Sequence, residues 1–179
     1  VDTLTVRKQD KVIVHKGERA MVDLNVLASK CFFHPDTKGR TSIKVTLPAV
    51  MKASDWLKNM YSHPIYGKQD GIPSKNFPIE GSVGMTWWIA DGDSAKNPYD
   101  LLPPIFTDIT QSELDGGVEE DGEDIREGGA ATTAYARMQF EDVSEPLRKA
   151  THKALLRYCE LDTLAMVMIF QAWSAWAKE

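Results

Sequence analysis

The chain has 179 residues, of which 42% are hydrophobic and 26% are charged, and its formal net charge is −5. This size fits one domain or a large piece of one, and the composition excludes a chain that is disordered throughout. Its two cysteines, Cys31 and Cys159, lie far apart and no apolar run reaches about 18 residues, so the sequence predicts a cytoplasmic protein without disulfides or membrane spans.

Charge is unevenly distributed along the chain. Between residues 30 and 58, six basic residues stand against two acidic ones, whereas between residues 100 and 127 ten acidic residues stand against one basic residue. One surface is therefore expected to attract phosphate groups and another to repel them.

The first predicted elements are a hairpin and a helix. Residues 4–14 are rich in β-branched side chains and predict two strands joined by a turn at Gln9 and Asp10. Residues 19–31 carry apolar side chains at helical spacing and predict an amphipathic helix. Pro35 ends that segment, because proline disfavours helical geometry in the residue before it.

A second helix and a long irregular region follow. Residues 39–46 predict a short extended or turn segment, in which Ser42 can cap the next helix, predicted over residues 48–61. Six prolines and many Gly and Asp residues then predict an irregular insertion at about 62–128, packed through its aromatic residues. Within it, residues 85–89 predict one short strand.

The last part of the chain predicts helices. The acidic run at 119–124 predicts a solvated loop, and residues 130–140 predict a short helix. Ser144 is a good N-cap, and Pro146 is tolerated in the first turn that follows it. Residues 147–176 carry apolar side chains at helical spacing, and this segment is longer than a typical helix. Its length predicts two helices with a break near residues 156–159.

One motif in this region suggests chemistry. Tyr158 and Asp162 are four residues apart, so a helix places both side chains on one face. A carboxylate binds hard divalent cations through oxygen, and a phenol beside it can orient an attacking water in metal-assisted phosphodiester hydrolysis. The alternative is an ordinary helix with Tyr158 packed and Asp162 exposed.

The wider sequence resembles a bacterial domain-of-unknown-function family within the ribonuclease H-like superfamily of DEDD-type 3′–5′ exonucleases. The resemblance covers roughly residues 18–178. It rests on VDL at 22–24, HP at 34–35, KG at 38–39, SIK at 42–44, LPA at 47–49, PIYG at 64–67, IPS at 72–74, PY at 98–99, LLPP at 101–104, GGA at 128–130, TAY at 133–135 and YCELDTLAM at 158–166.

This resemblance implies a fold and a partial site. The chain would be an α-rich C-terminal part of an α/β, ribonuclease H-like nuclease domain spanning residues 18–179, after an N-terminal segment at 1–17. Tyr158 and Asp162 would be its third motif, with Asp162 a ligand of Mg²⁺ or Mn²⁺ and Tyr158 orienting the water.

The first two acidic motifs of the superfamily have no counterpart in the chain. The only acidic residues among residues 1–17 are Asp2 and Asp10. Asp23 is expected to cap or brace a helix. The parent protein is therefore expected to be a nuclease whose missing N-terminal half supplies the other carboxylates, and this chain alone is expected to be inactive. The alternative is a non-catalytic module that binds nucleic acid or a protein.

Several other side chains are candidate nucleic-acid contacts. Lys38, Arg40 and Lys44 surround a glycine in a segment suited to the phosphates of single-stranded DNA or RNA, although a solvated loop explains the same pattern. Trp87 and Trp88 could stack on bases, but core packing is favoured. For His34, His63 and His152, structural roles are expected, because none pairs with Cys or another His at ligand spacing.

Overall fold

The computed structural model describes residues 3–8, 11–16, 22–77, 83–103 and 128–178. Within these ranges the chain forms five α-helices, two short 3-10 helices and four β-strands. The strands make two separate two-stranded antiparallel sheets. The part of the chain that is described therefore has a mixed, helix-rich architecture.

The N-terminal strands form the predicted hairpin. β1 (Thr3–Lys8) pairs antiparallel with β2 (Lys11–Lys16), and Val6 lies opposite Ile13. The predicted turn at Gln9 and Asp10 lies outside the described residues.

Helix α1 (Leu24–Cys31) begins where Asp23 caps it. One carboxylate oxygen of Asp23 accepts hydrogen bonds from the backbone N–H of Asn25, at 2.9 Å, and of Val26, at 3.4 Å. These bonds satisfy donors that have no partner within the helix, so the helix starts later than the predicted residue 19. Residues 19–21 lie outside the described residues, and residues 22 and 23 are not helical.

The prediction of one helix over residues 48–61 was wrong. The structure has α2 (Ile43–Ala53) and α3 (Asp55–Tyr61), so the predicted extended segment at 39–46 ends where α2 begins. Ser54 separates the helices, and its hydroxyl oxygen accepts from the backbone N–H of Leu57 at 3.2 Å. The early start of α2 follows from tertiary burial, because Thr46, Leu47, Val50 and Met51 form a buried stripe at helical spacing.

Helix α2 contains Pro48 in its interior. Proline cannot donate to the carbonyl four residues before it, which normally breaks a helix. Here the buried stripe on either side of Pro48 keeps the segment helical.

The irregular region packs through aromatic residues, as the sequence predicts. Tyr66, Phe77 and Trp87 are all buried and meet edge to face, with ring centroids 5.2–5.9 Å apart. Trp87 is fully buried, which confirms core packing over base stacking for this residue. The predicted acidic loop at 119–124 lies outside the described residues.

The predicted strand at 85–89 was wrong. Met85 forms only an isolated bridge with Tyr66, while the N–H groups of Trp87 and Trp88 both donate to the carbonyl of Tyr61 at the end of α3. The backbone is thus tied to a helix end rather than to a partner strand. The strands of this region are β3 (Ala90–Asp91) and β4 (Ser94–Ala95), followed by a 3-10 helix at Pro98–Leu101.

Two helices complete the fold. Helix α4 (Gly128–Phe140) confirms the predicted short helix, and α5 (Glu145–Trp176) is one continuous helix of 32 residues. The predicted break near residues 156–159 was therefore wrong. No Gly or Pro follows Pro146 in α5, and neighbouring elements cover one side of the helix there, since Arg157, Tyr158 and Leu161 are all buried.

Helix α5 is the centre of the fold. Helices α2, α3 and α4 and the 3-10 helix at Pro98–Leu101 all contact it. Its buried residues Leu161, Ala165 and Met168 are fully shielded from solvent. None of the helices in the described ranges is long and apolar enough to cross a membrane.

Candidate functional site

The structure places Tyr158 and Asp162 one turn apart on α5, as their spacing predicts. The Tyr158 side chain is buried, with 7% of its surface exposed, and Asp162 is half-buried. The pair therefore lies neither in an open acidic cleft nor on a plain solvent-facing surface.

A second tyrosine holds the Asp162 carboxylate. Tyr99 comes from the 3-10 helix Pro98–Leu101, which Asn97 caps by accepting from the Tyr99 backbone N–H. The Tyr99 hydroxyl donates to Asp162 Oδ1 at 2.5 Å, and the ring is only 2% exposed. Burial and the adjacent carboxylate raise the pKa of Tyr99 well above its ordinary value, so the hydroxyl keeps its proton and remains a donor.

Lys44 lies against the rings of both tyrosines. Its Nζ is 4.9 Å from the ring centroid of Tyr99 and 5.1 Å from that of Tyr158, and the two centroids are 5.9 Å apart. These distances are within the range of cation–π attraction. Lys44, Tyr99, Tyr158 and Asp162 form one group, which we call the tyrosine–aspartate cluster.

The cluster favours a protonated phenol at Tyr158. Burial and the negative charge of Asp162 raise the pKa of Tyr158 above its ordinary value. Near neutral pH the phenol can donate a hydrogen bond to a ligand but cannot act as a base. The cluster therefore offers a cation, a phenolic donor and a carboxylate on adjoining side chains.

The other two basic residues singled out in the sequence lie outside the cluster's contacts. Lys38 and Arg40 are exposed in the turn before α2, and Lys38 has the positive φ of 49° that ends the 3-10 helix Pro35–Thr37. Lys44 is half-buried in the first turn of α2. Of the three predicted phosphate contacts, Lys44 is the one that the described contacts join to Tyr158.

The described residues do not by themselves fit a two-ion metal centre. Hard divalent cations need about six oxygen ligands, several of them from carboxylates when two ions share a site. Among the residues that the structure describes, no group of three or more His, Cys, Asp or Glu side chains is placed to hold a metal. Asp162 brings one carboxylate, and Tyr99 already occupies one of its oxygens.

Sequence reasoning missed a second carboxylate in the same motif. Glu160 accepts hydrogen bonds from the Tyr66 hydroxyl and the Asn76 side-chain amide, both at 2.6 Å, and from the Ser74 hydroxyl. Burial opposes its ionisation, but these hydrogen bonds outweigh burial and hold the pKa of Glu160 below its ordinary value. Nearby, Arg157 Nε donates to the Asn76 carbonyl at 3.3 Å.

Glu160 and Arg157 fasten residues 66–77 to the side of α5. Neither role had a local signal, because the partners of Glu160 lie 84 to 94 positions away in the sequence. Tyr99 was missed for the same reason, since it lies 63 positions from Asp162.

An apolar cavity is lined by residues of α1, α2 and α5. Its volume is about 700 Å³, and its lining includes Ile43 of α2 and Met166, Ile169 and Trp173 of α5. Met166 is one turn beyond Asp162 on α5 and is 46% exposed. The apolar wall of the cavity thus begins one helical turn from the carboxylate, and the described residues cover Met166 only partly.

No described hydrogen bond joins a histidine or cysteine side chain to the tyrosine–aspartate cluster. His34 caps the 3-10 helix Pro35–Thr37 by accepting from the Asp36 backbone N–H, which confirms its structural role. Cys31 and Cys159 are exposed free thiols.

No protein-family model, curated protein or solved structure matches the chain.

Proposed function

We propose that this chain is the C-terminal part of a ribonuclease H-like 3′–5′ exonuclease that acts on single-stranded DNA or RNA in the cytoplasm. The observation that carries the proposal is that Lys44 lies against the rings of Tyr158 and Tyr99, and that Tyr99 holds Asp162. From the sequence these residues are a predicted phosphate contact and a predicted catalytic pair. They come from separate helices and share one cluster through Tyr99.

Each member of the cluster has a distinct role in this proposal. Lys44 attracts a phosphodiester, and the rings beneath its ammonium group limit the positions that group can take. The Tyr158 hydroxyl donates a hydrogen bond that orients the water. Tyr99 fixes Asp162 through Oδ1, and Oδ2 takes no part in that bond.

The remaining carboxylates are proposed to come from outside the described residues, namely from the N-terminal half of the parent protein. Asp162 would then share Mg²⁺ or Mn²⁺ with them. The apolar cavity lined by Met166 and Ile43 supports this arrangement. Met166 is one helical turn from Asp162 and Ile43 is next to Lys44 in the sequence, so a segment that covers them would come near the cluster.

Within the described ranges, no group of three or more His, Cys, Asp or Glu side chains is placed to hold a metal ion. This favours a second candidate, a module that binds nucleic acid without cutting it. Lys44 and the two tyrosines would serve both functions, whereas Asp162 would matter only for hydrolysis. The two candidates therefore differ in what the loss of the Asp162 charge does.

The test is Mn²⁺-dependent degradation of a single strand that is labelled so that loss from the 3′ end is visible. The natural protein that contains this chain would be assayed beside its Asp162→Asn variant and beside the 179-residue chain alone. Asp93→Asn, in the exposed turn between β3 and β4, is the matched control.

We expect the natural protein and Asp93→Asn to degrade the strand, and Asp162→Asn and the isolated chain to leave it intact. Binding without degradation by all four proteins would replace the nuclease proposal with the binding module. Degradation by Asp162→Asn at the rate of the unmodified protein would remove Asp162 from the site.

A further inference from the structure

A second, smaller cavity lies between the end of α4 and the first turns of α5. It has a volume of about 290 Å³ and is lined by Met138, Gln139, Arg148, Lys149 and His152. We call it the basic cavity. Three of its lining residues are basic, and no acidic residue is among the described residues that line it.

The guanidinium of Arg148 is held in place at the wall of the basic cavity. Its Nη1 donates to the backbone carbonyl of Met138 at 2.6 Å, and its Nε lies 3.8 Å from the exposed carboxylate of Glu145. Among the residues that the structure describes, none accepts a hydrogen bond from Nη2. A guanidinium fixed in this way loses little further freedom when it binds an anion.

Lys149 and His152 complete the basic wall. They follow Arg148 by one and four positions on α5, and both are exposed. His152 is one helical turn from Arg148, so their side chains lie on the same side of the helix. The side chain of Gln139 adds an amide donor from α4.

We propose that the basic cavity binds a phosphate group of a nucleic-acid strand. A fixed guanidinium with an open N–H group and a nearby ammonium is the donor set that recognises phosphate oxygens. The concave site concentrates these positive charges on one small anion, whereas scattered surface lysines would not. The choice of a strand over a free phosphate rests on the proposed function.

The position of the basic cavity fits a strand that also reaches the tyrosine–aspartate cluster. Lys149 and Asp162 are separated by roughly 20 Å along α5, from a rise of 1.5 Å per residue. An extended strand could place one phosphate in the basic cavity while nucleotides further along it approach Lys44. The basic cavity would then anchor the strand away from the chemistry.

The test is fluorescence anisotropy of a labelled single-stranded oligonucleotide with the 179-residue chain, at a series of salt concentrations. Lys149→Gln is the main variant, because no described contact depends on the Lys149 side chain. Arg148→Gln is the second variant. Lys96→Gln, an exposed lysine between β4 and the 3-10 helix Pro98–Leu101, removes the same charge elsewhere. Far-UV circular dichroism shows that each variant folds.

We expect Lys149→Gln and Arg148→Gln each to weaken binding roughly two- to five-fold. Each should also make the slope of log affinity against log salt shallower by about 0.7, the value for one lost phosphate contact on a single strand. Lys96→Gln should change neither quantity. Equal affinities and slopes for all three variants would overturn the proposal, as would failure of the unmodified chain to bind the strand.

Titration with inorganic phosphate separates the two sources of the anion. If phosphate shifts the NMR signals of the Arg148 and Lys149 side chains while the variants bind the strand normally, the cavity takes free phosphate and the strand proposal falls. Failure of the nuclease proposal would look different: the strand would bind through the basic cavity but would not be degraded by the natural protein.

Discussion

Replacing Glu160 by glutamine should destabilise the fold, although the side chain keeps its size. The carboxylate accepts from Tyr66 and Ser74 at Oε1 and from Asn76 at Oε2. In Glu160→Gln one of these oxygens becomes an amide N–H donor, so at least one of the three donors loses its acceptor. The other donors then face a neutral acceptor instead of a charged one. A hydrogen bond to a charged group contributes about 1.5–3 kcal/mol, so we expect the free energy of unfolding to fall by roughly 2 kcal/mol.

The direction in which this stability difference changes with pH can also be predicted. The pKa of folded Glu160 lies below its ordinary value, so the unfolded chain binds the proton more readily. The stabilisation is therefore fully present above the unfolded pKa of about 4.3 and is lost as the pH falls through the folded value. The difference between the unmodified protein and Glu160→Gln should be largest near neutral pH and should narrow in acid.

Urea unfolding at pH 7 and at several acidic pH values, followed by tryptophan fluorescence, measures this difference. Glu141→Gln is the control, because that glutamate is exposed and its ion pair with Arg137, at 4.0 Å, is a surface one. Loss of this pair should lower the free energy of unfolding by less than about 0.5 kcal/mol. Equal stabilities of Glu160→Gln and Glu141→Gln at pH 7 would refute the reasoning. So would a difference that stays constant or grows as the pH is lowered.

Three further predictions follow from single contacts. Tyr99→Phe removes the donor to Asp162 and should lower the free energy of unfolding by roughly 1–2 kcal/mol, as measured by urea unfolding; an unchanged midpoint would mean that the hydrogen bond contributes nothing. Trp87→Ala should cost about 3–5 kcal/mol because Trp87 is fully buried, whereas Trp56→Ala, at a 40% exposed side chain, should cost far less in the same assay. Ser54→Ala should cost about 1 kcal/mol by uncapping α3, and Ser54→Gly should restore part of that loss if capping is the cause.

Signals carried by neighbouring residues predicted local structure well. The end of α1 before Pro35, the hairpin of β1 and β2 and the short helix α4 all follow from propensity and periodicity within a few residues. The spacing of Tyr158 and Asp162 likewise predicted a shared helical face. In each case the physical cause acts within about one turn of helix or one pair of strands.

The wrong predictions concern segments whose structure depends on distant contacts. Residues 43–46 are helical because Thr46 is buried against the core, and α5 is unbroken because other elements cover it on several sides. Propensity alone favours shorter helices, and tertiary burial overrides it. The strand predicted at 85–89 failed because its N–H groups found the end of α3 instead of a neighbouring strand.

The motif YCELD shows why the site itself was only half predicted. Helical periodicity places Tyr158 and Asp162 on one side of α5 and turns Glu160 by about 200° from either of them. The sequence does not tell which side of a central helix faces a ligand and which faces the protein, because both sides are covered by segments far away in the chain. In the structure Tyr99 and Lys44 approach one side, and Tyr66, Ser74 and Asn76 approach the other. Two carboxylates separated by a single residue therefore have different surroundings: Glu160 fastens an irregular segment to the helix, while one oxygen of Asp162 accepts from Tyr99.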